Sequence, residues 1–374
     1  MRPRVLFVGR ARLRLPLSET LARRFEALSA ELDWRQLGTS AAGPAVTDAR
    51  FRLARRFPLA RLDGPVFYAR LPLRVARELR EFRPDAVLVQ GAQETALVLL
   101  ARGLARAPAK VILDLHGDWR APTRLYGSRL RGALDPLNDL LARVALRRAD
   151  GIRTISGYTT GLVHARGREP AAEFPAYMDL APFLDRPPEP LPEQPTALFV
   201  GVLERYKAVD VLAAAWRLAA PRVPGVRLHL VGSGAMAETV ERLVAELPEQ
   251  TSWTPTLTTE EVARALDTAW LLVLPSRSEG MGRVLVEAFC RGRAVVGSRV
   301  GGIPDLVERD VSGLLVEPGD AGALADALVR VLSNRPLAER LGAGAHAAAP
   351  RWTATPEEFA QRLRELVERV VAHP

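Results

Sequence analysis

Two glutamates eight positions apart, Glu279 and Glu287, lie in the segment PSRSEGMGRVLVEA at residues 275–288. A carboxylate that accepts two neighbouring hydroxyls is how a protein holds a ribose or a hexose. Between them Gly280, Met281, Gly282 and Arg283 form a turn into a helix. Glycines there let backbone N–H groups approach a ligand closely, and the unpaired donors of a helix start favour a phosphate. Lys207 closes a second turn, FVGVLERYK at residues 199–207, where a cation can neutralise a pyrophosphate and stabilise it as it leaves. His116 stands in a third turn, DLHGDW at residues 114–119. A histidine on an exposed turn can be a general base, a sugar ligand or neither.

The elements that must position these groups are legible as apolar runs of four to six residues alternating with helix-period stretches. That is the pattern of parallel sheets covered by helices on both faces. Expected strands lie at 5–8, 86–89, 111–115 and 151–155, and then at 197–200, 226–231, 270–274, 294–297 and 314–316. The turn holding Glu279 follows the strand at 270–274, which places it at the carboxyl end of a parallel sheet, where open α/β folds bind ligands. The segment APFLDRPPEPLPEQP at 181–195 is proline-rich and without apolar period, and reads as a linker between two Rossmann-like domains. TTEE at 258–261 supplies a capping box. A final amphipathic helix is expected at 356–372.

The 275–288 segment resembles the Glu-x7-Glu signature of retaining family-4 glycosyltransferases, and the likeness continues through RGRAVVG (291–297), VGGIPD (300–305) and SGLLV (312–316). The resemblance implies a GT-B fold, two Rossmann-like domains facing each other across a cleft. It implies an acceptor domain at 1–185, a linker at 186–196, a nucleotide-sugar domain at 197–350, and a last helix at 351–374 returning to the first domain. By resemblance Glu279 lies beside the donor sugar, Glu287 holds the nucleotide ribose, Lys207 binds phosphate and His116 lies near the donor sugar. The implied reaction moves a hexosyl unit from a UDP- or GDP-type donor to an acceptor sugar, lipid-linked or small-molecule, with retention of configuration. No cofactor beyond the donor is expected.

Four departures stand out. Val202 replaces the family's arginine, which makes Arg283 the expected second phosphate ligand, with Arg205 next; Ala208 replaces its glycine. RARLR at 10–14 stands where the family has a double-glycine loop, and PAY at 175–177 where it has Pro-Asn-Gly. The turn VGSGAMA at 231–237 fits a dinucleotide-binding fingerprint, but the expected strand at 251–254 ends in no ribose-binding acid. Rival readings are another sugar-nucleotide or sugar-phosphate enzyme, an epimerase or phosphorylase, and a basic nucleic-acid-binding protein. A salt-sensitive gel shift without any donor binding would favour the last.

At 374 residues the chain exceeds one hydrophobic core. Cys290 is the only cysteine, which excludes an internal disulfide and a cysteine-based zinc cluster. No Asp-x-Asp triplet occurs, so no metal is expected. The opening apolar run is too short for a signal peptide and no run approaches the ~20 residues of a membrane span, so a cytoplasmic location is expected. Residues 1–180 carry 31 Lys and Arg against 18 Asp and Glu, whereas the rest carry 21 against 25. That basic half, and the arginines alternating with Phe51, Leu53, Phe57 and Leu59, suggest docking on an anionic membrane surface.

Overall fold

The apolar runs assemble into two separate parallel sheets. The computed structural model describes residues 2–41, 43–120 and 135–373. The described residues up to Tyr177, together with those from Ala354 onward, form one compact unit, and residues 178–353 form the other.

In the N-terminal unit the strands are β1 (Arg4–Leu13), β2 (Asp33–Ser40), β3 (Val46–Thr47), β4 (Phe51–Ala54), β5 (Ala86–Gln90), β6 (Lys110–Leu115), β7 (Gly151–Thr154) and β8 (Ala172–Glu173). They lie in the order β3-β4-β2-β1-β5-β6-β7-β8, parallel except for the β3–β4 edge. Helices α1 (Glu19–Glu31), α2 (Ala60–Glu81), α3 (Ala92–Ala105), α4 (Asp135–Arg148) and α5 (Gly157–His164) alternate with them. The C-terminal unit has β9 (Thr196–Val200), β10 (Arg227–Val231), β11 (Thr251–Thr254), β12 (Leu271–Leu274), β13 (Ala294–Ser298) and β14 (Gly313–Val316). Their order is β11-β10-β9-β12-β13-β14, and every pairing is parallel. Numbered within the unit this is 3-2-1-4-5-6, the dinucleotide-binding arrangement with its switch point between the first and fourth strands. Its helices are α6 (Ala181–Leu184), α7 (Val209–Ala219), α8 (Ala237–Glu246), α9 (Thr259–Asp267), α10 (Arg283–Cys290), α11 (Ile303–Leu306), α12 (Ala321–Leu332) and α13 (Arg335–Ala348).

The last helix, α14 (Pro356–Ala372), belongs to the N-terminal unit. It starts at a capping box of Thr355 and Glu358, and Phe359, Leu363, Leu366, Val367 and Val370 are buried with Val5, Phe7, Phe25, Leu28 and Trp34. At about 1.5–3 kcal/mol for each large apolar side chain, those residues anchor the helix firmly. The capping box at Thr258 and Glu261 likewise starts α9.

Three segments differ from the sequence expectation. β1 does not stop at Val8: it resumes pairing with β2 at Arg12 and Leu13 after a register shift, so residues 10–13 extend the strand where the family has a double-glycine loop. The proline-rich 181–195 stretch contains α6, whose Phe183 is buried, and its backbone is bound to the C-terminal unit by two arginines with at most 1% exposure. Arg291 donates to the carbonyls of Arg186 and Pro187, and Arg293 donates to that of Glu189. Asp267 lies 2.7 Å from Arg291 and neutralises the pair in part. Burial still lowers the pKa of Arg293 to about 10 against the attraction of Asp267. Finally, Phe51 and Leu53 lie inside β4 and are buried in the core, so they cannot enter a membrane.

Candidate functional site

Both loops at the switch point of the C-terminal sheet carry expected site residues. The loop after β9 runs through a tight turn, Arg205–Lys207, and reaches α7 through Ala208, which takes a left-handed backbone at φ 54°. Left-handed conformation is the reason a glycine suits this place; an alanine there is strained. The loop after β12 holds Ser276 through Gly282 and enters α10, whose start has no side-chain cap. That leaves helix-start N–H groups pointing outward.

The two loops are tied together. Arg277 donates its backbone N–H to the Tyr206 carbonyl at 2.7 Å and forms two 2.8 Å bonds to the carboxylate of Asp210. The bidentate bond holds Asp210 below the ordinary carboxylate pKa despite its partial burial. Lys207 Nζ lies 2.5 Å from Glu279 Oε2, with both side chains largely buried. A third loop, after β13, packs against them: Gly302 donates its N–H to the Glu279 carbonyl at 3.1 Å. At Gly301, with φ 58°, any side chain would overlap that same carbonyl oxygen.

The glycines of VGSGAMA prove to have a packing role of the same kind. A side chain at Gly232 would overlap the Gly201 carbonyl, and Ser233 accepts from the Leu203 N–H at 2.9 Å. Backbone-to-backbone contact between two turns accounts for the fingerprint without a dinucleotide.

Glu287 sits one turn inside α10, with 12% of its side chain exposed. Its partner is Arg283 at 3.6 Å, and the Arg283 side chain is 59% exposed. Burial raises the carboxyl pKa of Glu287, opposed only by Arg283. A desolvated carboxylate with acceptor capacity left over suits a ligand that brings hydroxyl donors. Gly280 and Met281 complete the turn, with Met281 buried. Val202 is exposed. The structure thus brings Lys207 to Glu279 across two neighbouring loops, and Arg283 to Glu287 on the helix that follows, all within one unit.

His116 lies at the end of β6 in the N-terminal unit. Its Nε2 is 2.9 Å from Asp114 Oδ2, while Asp114 Oδ1 is 2.6 Å from Arg153 Nη1. Burial works against the charge on Asp114, but the attraction of Arg153 and His116 outweighs it and holds its pKa below the usual carboxylate range. Asp114, Arg153, Arg277 and Asp210 are supporting residues that sequence reasoning missed. Asp114 had a signal, two positions before the histidine on the same strand end; Arg153, a charged residue in a short strand, had none. Among the described residues no group of three or more His, Cys, Asp or Glu side chains is placed to hold a metal ion.

A sheet with this switch point, an uncapped helix start, a lysine and a buried, loosely paired carboxylate defines a nucleotide-ligand unit of Rossmann type, here following another α/β unit in one chain. Comparison with known proteins makes the class specific. Residues 194–334 match the model described as glycosyl transferases group 1, and residues 17–174 match the glycosyl transferase 4-like domain. The chain belongs to this glycosyltransferase family. It is 35% identical over 190 residues to the D-inositol 3-phosphate glycosyltransferase of Mycolicibacterium smegmatis, a match that spans 49% of this chain and 43% of the relative. It is 26% identical over 353 residues to a GDP-mannose-dependent alpha-(1-6)-phosphatidylinositol monomannoside mannosyltransferase of Mycobacterium tuberculosis, with 87% of each chain covered. The solved sucrose-phosphate synthase of Thermosynechococcus elongatus superposes with a TM-score of 0.80 over 100% of both chains at 21% identity, a likeness of fold.

Proposed function

We propose that this chain transfers a hexosyl unit from a nucleoside diphosphate sugar to an acceptor hydroxyl, with retention of anomeric configuration and without a divalent cation. The observation that carries the reading is the placement of Lys207, Glu279, the α10 start and Glu287 around one switch point. Glu287 accepts the ribose hydroxyls, and the diphosphate lies against Lys207 and the helix-start N–H groups. Arrival of the diphosphate exchanges the Lys207–Glu279 ion pair for a Lys207–phosphate pair and releases Glu279 towards the sugar. Arg283 supplies the second positive charge in place of the arginine missing at Val202. The anomeric carbon–oxygen bond to the diphosphate breaks as the bond to the acceptor oxygen forms on the same face. The acceptor proton passes to the departing phosphate oxygen, so no carboxylate nucleophile is used. By the family resemblance His116 acts at the reacting sugar, its imidazole oriented by Asp114. The tuberculosis relative is GDP-mannose-dependent by name, which supports a donor of this class.

NMR of incubations with UDP-, GDP- and ADP-hexoses tests this reading. The expected result is release of nucleoside diphosphate without free phosphate, an axial or equatorial product linkage matching that of the donor, and no loss of rate in chelator. An inverted product, or a chelator-sensitive rate, removes that part of the mechanism; no release from any donor removes the reading.

For location, no helix among the described residues is long and apolar enough to cross a membrane. We assign peripheral docking on anionic lipid to the solvent side of the helix layer α2, α3 and α4, where α3 packs between the other two. Leu73, Leu100, Leu104, Leu137 and Leu140 are each more than half exposed there, among Arg70, Arg77, Arg106, Arg143 and Arg147. Arginines near an anionic surface contribute ~1 kcal/mol each. Liposome flotation should depend on anionic lipid and weaken in Leu73→Glu with Leu104→Glu; flotation indifferent to both lipid charge and these substitutions would dismiss the surface.

A further inference from the structure

The ends of β1, β5 and β6, with α1 and α14, enclose a cavity of about 160 Å³ wholly within the N-terminal unit. Its charged lining is Arg24, Asp114, His116 and Arg153. Asp114 is fully engaged by Arg153 and His116. Arg153 also donates to the carbonyls of Phe174 and Pro175 at 3.0 and 2.7 Å. Arg24 has no such arrangement. Its guanidinium lies 5.6 to 5.9 Å from the ring centres of Phe25, Tyr177 and Phe359, and among the described residues it has no carboxylate partner. Its Nε is buried without a hydrogen-bond partner, as is the Nε of Arg153.

Two guanidiniums against one carboxylate leave the cavity with an excess of one positive charge. Arg24 is part-buried with its Nε shielded from solvent, and holding a charge there without an ion-pair partner is costly. The cost is recovered when a ligand supplies the counter-charge. A planar guanidinium fork presents paired donors to a carboxylate or a phosphate, which sets the ligand chemistry. A cavity of about 150 Å³ holds a molecule the size of benzene, so the space takes one charged group and its immediate attachment rather than an oligosaccharide. Burial lowers the pKa of Arg24, which Asp114 opposes and Arg153 reinforces; an added anion reverses that imbalance.

We propose that this cavity binds the anionic group, carboxylate or phosphate, of the sugar acceptor, with Arg24 as its principal ligand. That the bearer is the acceptor rests on the glycosyl-transfer reading; the anion site itself does not. The test follows inorganic phosphate binding to the full chain by thermal shift and calorimetry, against chloride at equal ionic strength. Three variants accompany it: Arg24→Gln, Arg24→Lys, and Lys207→Ala as the control for phosphate at the other unit.

Arg24→Gln should weaken phosphate binding about tenfold or more, the fold-change of one lost charge-assisted bond. Arg24→Lys should retain most of the binding, and Lys207→Ala should leave this component in place. In chloride alone Arg24→Gln should melt no lower than the wild type, because relief of a charge without an ion-pair partner offsets the lost ring contacts; a purely structural arginine would instead lower the melting temperature. Equal phosphate binding by Arg24→Gln and the wild type, or loss of all binding in Lys207→Ala alone, overturns the site. Glucose 6-phosphate that accelerates nucleoside diphosphate release where glucose does not would support the acceptor as bearer. Phosphate alone producing the same acceleration would keep the site and overturn that bearer, while donor titration, independent of Arg24, reports separately on the transferase reading.

Discussion

Asp114 in the N-terminal unit and Glu287 in the C-terminal unit are both largely buried carboxylates near the ligand-facing ends of parallel sheets, yet their acidities move in opposite directions. Asp114 has an arginine at 2.6 Å and a histidine at 2.9 Å, and these outweigh the effect of burial. Glu287 has only a mostly exposed arginine at 3.6 Å, and burial wins. A buried acid whose hydrogen-bonding capacity is filled from within the fold is part of the scaffold. One whose capacity is left open marks where a ligand must arrive. The arginines repeat the distinction within one cavity, with Arg153 ion-paired to Asp114 and Arg24 set only against aromatic rings among the described residues.

The largest expected effect breaks the filled side of this comparison. Asp114→Asn leaves Arg153, with 1% exposure, without its counter-charge, and should cost about 3–5 kcal/mol of stability, the usual penalty for orphaning a buried charge. Urea denaturation measures it; a loss below ~1 kcal/mol would mean that the pair is not holding the strand ends. Because the folded-state pKa of Asp114 is depressed, its contribution is fully present above the unfolded carboxylate value and disappears only as pH falls through the lower folded value.

Gly301→Ala addresses the loops. Its left-handed φ of 58° and its approach to the Glu279 carbonyl should together cost about 1–3 kcal/mol, with Glu279 displaced and donor turnover reduced. Wild-type stability and turnover in this variant would show that the loop after β13 does not position the glutamate.

The third effect concerns pH. The pKa of Glu287 is raised in the folded chain, so the folded state binds its proton more tightly than the unfolded state does. Lowering pH through the folded value therefore stabilises the ligand-free chain, while it should weaken donor binding by up to about tenfold per pH unit. The decline should begin above the ordinary glutamate range and be absent in Glu287→Gln, which is read by titrating donor at a series of pH values. A donor affinity flat down to the ordinary range would place Glu287 outside the nucleotide contacts.

How legible each side was follows from the same physics. Strands such as LLVL at 271–274 and AVVGS at 294–298 are buried on both faces, so they appear as continuous apolar runs. The Glu279-to-Glu287 segment was legible because turn glycines, helix start and acids occur together. Polar residues that face inward were not. Arg153, Arg291 and Arg293 look like surface residues in sequence, and only their distant partners, Asp114 and Asp267, explain their burial. The strand at 10–13 was missed because the apolar run ends at Val8 before a glycine, and pairing resumes only after a register shift. Phe51 and Leu53 have the same spacing in a membrane-binding stretch as in a strand, and here they face the core of β4.

Donor titration of two single variants tests the central assignment most directly. Glu287→Ala removes acceptors of charge-assisted hydrogen bonds, each worth about 1.5–3 kcal/mol, and should raise the nucleoside diphosphate Kd by roughly ten- to more than a hundredfold. Glu279→Gln should leave that Kd near the wild-type value and lower turnover of the nucleotide sugar. The reverse pattern, with nucleotide affinity lost in Glu279→Gln and kept in Glu287→Ala, would contradict the assignment of ribose to the open carboxylate and of sugar to the lysine-paired one.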